Sequence, residues 1–243
     1  MGLLTEKKAA LFDLGSTLIE YENISWNDVY KLSIREGFKL LEGHNFFFSE
    51  KSKLMEGFVA AVNEMIAHSM EIQKEPDLRR FFVDFFKKQE HDLSDEIYDD
   101  FLEHYYQPIR DHLSLIPGAI EVLDFFKSKG CKLGLISNTV FPERYHYEDM
   151  QNFGVLEFFD EIIFSSEFEY RKPHPDIFEH VLRKLDISAD QAFFVGDRVD
   201  VDVAGAKNSG ITAILKLKSD RVYDGHGEAD LVIDDLTELI ENY

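Results

Sequence analysis

Asp13, Ser137, Lys172 and Asp197 stand at the boundaries of apolar runs, with Asp200 and Asp202 close behind Asp197, and their types suit binding a cation and an anion together. Asp13 closes the run Ala9-Ala10-Leu11-Phe12 and opens Asp13-Leu14-Gly15-Ser16-Thr17-Leu18. An apolar run that ends in a carboxylate and a Gly/Ser/Thr turn is expected to be a buried strand. It delivers the acid to its C-terminal edge, where open α/β sheets bind their ligands. Ser137 follows Lys132 to Ile136 in the same way, and Asp197 follows Ala192 to Val195 and Gly196. Lys172 lies in Tyr170-Arg171-Lys172-Pro173-His174-Pro175, immediately before a helical pattern. Carboxylates gathered at one edge repel one another, and one lysine cannot neutralise three of them. A hard cation with oxygen ligands would answer that need.

These residues must be positioned by the elements between them. From Pro117 onward helices alternate with short apolar strands. Helices are expected over 117–129, closed by Gly130, over Pro175 to Leu185, near Val201 to Ser209, and over Asp235 to Asn242. Strands are expected at Lys132 to Ile136, Glu161 to Phe164, Ala192 to Val195, Ile211 to Leu215 and Leu231 to Ile233. Such alternation implies an α/β fold, a Rossmann-like parallel sheet with helices on both faces. Between the first strand and this region no second strand is evident. Four apolar sets recur there at three- or four-residue steps: Trp26, Tyr30, Ile34, Phe38, Leu41; Leu54, Phe58, Val62, Ile66; Leu78, Phe81, Phe82, Phe85, Phe86; and Ile97, Phe101, Leu102, Tyr105, Ile109. Four amphipathic helices that bury their stripes against one another account for them. The expected organisation is an α/β core of residues 1–18 and 113–243, interrupted by a helical insertion at 19–112.

The order and spacing of these residues resembles the four motifs of the haloacid dehalogenase-like hydrolase superfamily over about residues 8–240. The Lys-Pro-His-Pro-Asp-Ile-Phe stretch and Val195-Gly196-Asp197…Asp202-Val203-Ala204-Gly205-Ala206 carry the match most closely. The insertion lies where that superfamily places its α-helical cap domain, which would close over the site. The resemblance implies an Mg²⁺-dependent phosphatase of a small phosphorylated metabolite. Asp13 would be the nucleophile, Ser137 a ligand of phosphate oxygens, and Lys172 the positive clamp. Leu14, Gly15 and Asn138 would complete the phosphate site, though Asn138 serves equally well as a loop cap. Asp13, Asp197, Asp202 and the Gly15 carbonyl would hold the metal. For Asp202 an ordinary acid in a helix first turn is an equal alternative. Asp200 fits the spacing less well and is expected to be solvated. His174, between two prolines, is expected to be a fixed loop residue.

In phosphatases of this superfamily a second Asp stands two positions after the nucleophile, as general acid and base. Here that position is Gly15, which can do neither. Ser16, where Gly is usual, is a second departure and is expected to constrain the turn. Two rival readings follow. One is a slow or inactive phosphate-ligand binding protein, and the other a metal-independent 2-haloacid dehalogenase, which the acidic pair Asp197 and Asp202 disfavours.

Composition bounds the remaining possibilities. The 243 residues carry 26 Lys+Arg against 47 Asp+Glu, for a net charge of −21. So acidic a chain repels nucleic-acid phosphates and anionic membrane surfaces, so neither is expected as a partner. Cys131 is the single cysteine, expected to be a small core hydrophobe, and no apolar run approaches a membrane span. A cytoplasmic protein is expected.

Overall fold

The computed structural model describes residues 2–243. The chain forms two compact units, one made of the residues up to Glu20 with Leu115–Tyr243, the other of Tyr21–Ser114.

In the first unit, strands β1 (Ala9–Phe12), β4 (Lys132–Ser137), β5 (Glu161–Phe164), β6 (Ala192–Gly196), β7 (Thr212–Lys216) and β8 (Leu231–Ile233) form one sheet in the order β5-β4-β1-β6-β7-β8. All five pairings are parallel. Every residue of β1 and β6 is buried. These are the near-continuous apolar strands of a sheet covered on both faces, not the alternating strands of a half-exposed one. β1 lies between β4 and β6, so the order runs outward from it in both directions. The C-terminal edge beside β1 is therefore a topological switch point, where such sheets bind ligands.

Helices α5 (Ala119–Ser128), α6 (Glu143–Asn152), α7 (Pro175–Leu185), α8 (Ala204–Asn208) and α9 (Glu238–Glu241) connect and cover these strands. Ile177, Phe178, Val181, Leu182 and Leu185 of α7 share a core with Leu11, Ile136 and Phe194. The approach is close: a Cβ on Gly134 would lie 2.6 Å from Leu11 and 2.9 Å from Val181. Phe126 of α5 packs against Phe193 at 5.0 Å between ring centres. Two short strands, β2 (Ile19–Glu20) and β3 (Ser114–Leu115), pair with each other.

The second unit contains α1 (Trp26–Gly43), α2 (Lys51–Ile72), α3 (Leu78–Lys87) and α4 (Asp95–Arg110). Ser25, Asp77 and Ser94 cap α1, α3 and α4 by accepting from backbone N–H groups of the first turn. Phe58 is fully buried at the centre of an aromatic cluster and meets the rings of Phe38, Phe82, Phe86, Phe101 and Tyr105. The aromatic stripes legible in the sequence are therefore the packing of this unit.

The structure departs from the expected elements at four points, the first being β2 and β3, which stand where no second strand is evident in the sequence. α6 was not expected at all. The expected helix near Val201 to Ser209 is a π-helical turn, Val199–Val203, leading into the short α8. The final helix spans only Glu238–Glu241, and Asp235 lies in the turn before it, accepting from the Thr237 backbone N–H. Among the described residues no helix is long and apolar enough to cross a membrane.

Candidate active site

Asp13 follows β1 directly, and its backbone N–H donates to the Val195 carbonyl at 2.9 Å, which ties it to β6. The residue is buried, 7% exposed. Oδ1 accepts from Lys172 Nζ at 2.6 Å, and Oδ2 accepts from Thr17 Oγ1 at 3.3 Å. Lys172 also reaches Asp202 Oδ1 at 2.8 Å, so one ammonium bridges two carboxylates. The ammonium lies 5.0 Å from the centre of the Phe194 ring. Two hydrogen bonds hold the Lys172 main chain: its N–H donates to Asn138 Oδ1 at 2.8 Å, and Asn138 Nδ2 donates to its carbonyl at 2.9 Å. Asn138 thus fixes the origin of the lysine side chain from the loop after β4.

Asp202 is buried within the π-helical turn, and its Oδ2 reaches back to accept from the Arg198 N–H at 3.0 Å. Its side chain leaves no room at Gly196, where an added Cβ would lie 2.4 Å from Asp202 Cβ and Cγ. Asp197, just beyond β6, is 3% exposed and ion-paired with Arg221. Ser137 ends β4 and is 6% exposed. Asp200 lies apart from these groups, its side chain 63% exposed and paired with Arg198. His174 caps α7 by accepting from the Asp176 N–H at 3.3 Å and stacks on Tyr170 at 3.9 Å. Cys131 is buried, and burial pushes its thiol pKa up.

The turn after Asp13 is tight. The Leu14 carbonyl accepts from the N–H groups of Leu18 at 2.9 Å and Ile19 at 3.0 Å. Gly15 bridges to Ile19. Ser16 has φ 56°, a left-handed conformation that glycine adopts freely and serine does not. Its hydroxyl donates to Glu20 Oε1 at 3.0 Å, and its carbonyl accepts from the buried Lys216 Nζ at 3.3 Å.

Asp13, Asp197 and Asp202 each offer an oxygen within 4.8 Å of the others. Burial pushes the Asp13 carboxyl up to about 6, with Asp202 adding repulsion and Lys172 opposing. Burial pushes Asp197 up to about 7, with Asp202 and Asp13 adding and Arg221 opposing. Burial works against the charge of Lys172, but Asp13 and Asp202 outweigh it and raise its pKa. Three buried carboxylates facing one another are therefore relieved either by protonation or by added positive charge. Their donors are hard oxygens, with no His or Cys among them, which fits a divalent cation of the Mg²⁺ type.

Several contributors were not singled out in the sequence. Thr17 lay unremarked within the first motif. Lys216 closes an apolar run, the same signal that marks Asp13. Arg221 and Tyr223 lie in a polar loop with no periodic pattern, and nothing in the sequence links them to Asp197.

The sequence pattern of the haloacid dehalogenase-like hydrolases matches residues 7–210. The chain belongs to that family. A glyceraldehyde 3-phosphate phosphatase of Methanothermobacter thermautotrophicus is 34% identical over 131 residues, covering 51% of this chain and 57% of that protein. One of Methanocaldococcus jannaschii is 32% identical over 126 residues, covering 51% and 54%. The chain thus spans just over half the length of these relatives. Among solved structures, a phosphatase of this family from Thermococcus onnurineus matches with TM-score 0.64 and 27% identity over 96% of both chains. A 2-haloacid dehalogenase from Pseudomonas syringae matches with TM-score 0.73 and 21% identity over 97% of both. At that identity the second likeness is one of fold alone.

Proposed function

We propose that this hydrolase is an Mg²⁺-dependent phosphatase of a small phosphorylated metabolite, acting through an aspartyl phosphate on Asp13. The observation that carries the reading is Lys172, which bridges Asp13 and Asp202 inside a cluster of three buried carboxylates. Asp13, Asp197, Asp202 and the Gly15 carbonyl would hold the cation, which when bound would offset negative charge on the phosphoryl group and on Asp13. An Asp13 oxygen attacks phosphorus, and the bond from phosphorus to the ester oxygen breaks. The leaving oxygen takes a proton from water or from the substrate itself, since Gly15 has none to give. Water then attacks the phosphorus of the aspartyl phosphate, which frees Asp13 and inorganic phosphate. Lys172, Ser137 and backbone N–H groups after Asp13 meet the equatorial oxygens as charge spreads over them, while Asn138 holds the Lys172 main chain in place. The names of the relatives, glyceraldehyde 3-phosphate phosphatases, favour a three-carbon or other short carbohydrate phosphate. The lone buried Cys131 suits a reducing cytoplasm.

A second reading is favoured by Gly15 itself: a protein that binds cation and phosphate but turns over slowly or not at all. Phosphate release from a panel of short carbohydrate phosphates and an acyl phosphate, with Mg²⁺ and with EDTA, separates the two. The phosphatase reading expects EDTA-sensitive release from at least one member. Binding without release supports the second reading, and metal-independent halide release from a 2-haloacid contradicts both.

A further inference from the structure

The loop that follows β7 turns back onto Asp197 in a way the reaction outlined above does not use. Arg221 Nη1 contacts Asp197 Oδ2 and also donates to the Asp197 main-chain carbonyl at 3.2 Å. The Tyr223 hydroxyl donates to that same carbonyl at 3.1 Å. The loop is closed on itself: Arg221 N–H donates to the Lys218 carbonyl at 3.1 Å, and Lys218 N–H donates to the Tyr223 hydroxyl at 3.0 Å. Lys218 is in turn held by Asp220 at 2.6 Å. Val222, between the two inward residues, is 96% exposed. One turn of chain therefore sends two side chains onto one aspartate and grips its backbone and its carboxylate together.

We propose that Arg221 and Tyr223 are positioning residues that fix Asp197 in the orientation in which it takes a divalent cation. The proposal rests on the metal-dependent reading given above. A metal-binding carboxylate usually has an outer partner that sets its direction and keeps it ionised, and loss of that partner weakens metal affinity. The alternative role for Arg221 is a competitor that sits in the place of the cation and must leave. Its grip on the main-chain carbonyl, shared with Tyr223, speaks for a retained anchor. Charge balance points the same way: with Lys172, Arg221 and a divalent ion against three carboxylates, the site keeps one net positive charge to meet a phosphate.

Isothermal titration of Mg²⁺ and of Mn²⁺ into the full chain, without substrate, tests this. Arg221→Ala should weaken binding of either ion about 10- to 100-fold. Arg221→Lys should recover part of that loss, and Tyr223→Phe should show a smaller loss in the same direction. Circular dichroism of each variant verifies the fold, and Tyr223→Phe keeps the test open should Arg221→Ala fail to fold. Unchanged affinity in folded Arg221→Ala would overturn the proposal, and tighter binding would also overturn it by making Arg221 a competitor. A wild-type chain that binds neither ion overturns the metal-dependent reading as well, so the two failures are distinguishable.

Discussion

Lys172 is the residue on which the site turns, because its single buried ammonium ion-pairs with Asp13 at 2.6 Å and Asp202 at 2.8 Å. Its sequence context, Lys-Pro before a helix, marked it as a candidate, and its depth comes from Asn138 clasping its backbone. That clasp is a contact between residues 34 apart, which no local pattern reveals. Gly15 is the residue that departs from the phosphatase pattern, and the departure is chemical. Metal binding through its carbonyl needs no side chain, whereas protonating a leaving group does. If a missing acid and base limits turnover, Gly15→Asp should raise kcat by up to about 10²–10⁴-fold, the range such groups supply. Steady-state kinetics on the best substrate of the panel checks this, and an unchanged kcat would mean that another group already provides the proton.

At the scale of elements, the parallel strands were legible because their burial on both faces writes itself as continuous apolar runs. The four helices of residues 21–114 were legible because each has one strongly apolar stripe. α6 was not, and the reason lies in its composition: its buried positions are Tyr145, His146, Asp149 and Met150, of which two are polar. A helix that buries an imidazole and a carboxylate gives no apolar periodicity to read. The turn from β6 into Val199–Val203 shows how tightly element and site are joined. Gly196 sits against Asp202, so Gly196→Ala must displace the Asp202 side chain or the strand end beside it. Displacement on this scale costs about 10²-fold in rate. The variant should therefore lose about that factor in kcat/KM, measured beside its melting temperature. Full activity would show that Asp202 does not need its present position.

For the whole molecule, the excess of acid residues, −21 in net charge, means that the proposed phosphate substrate would have to be drawn in by local cations against the global field. The same acidity makes the site itself sensitive to pH. Asp13 and Asp197 are raised by burial to about 6 and about 7. The stability that their protonated forms contribute is complete below the ordinary carboxylate pKa. It is lost as pH rises through those raised values. Without a divalent cation the protein should therefore melt at a lower temperature near pH 8 than near pH 5 on account of these two groups. Added Mg²⁺ should narrow that difference, because it binds the ionised site: at about 100 times its Kd it contributes about 2.7 kcal/mol. Melting curves with and without Mg²⁺ at both pH values decide this, and an equal Mg²⁺ effect at the two would contradict it.

The central claim, that Asp13 carries the phosphoryl group, can be examined directly. Gly15 cannot activate the water that resolves an aspartyl phosphate, so the intermediate should persist long enough to trap. Acid quenching of the protein during turnover of a labelled substrate with Mg²⁺, followed by peptide mapping, should place the phosphoryl label on Asp13. The label should be absent from Asp13→Asn. Turnover without any label on Asp13, or a label on another residue, would contradict the account.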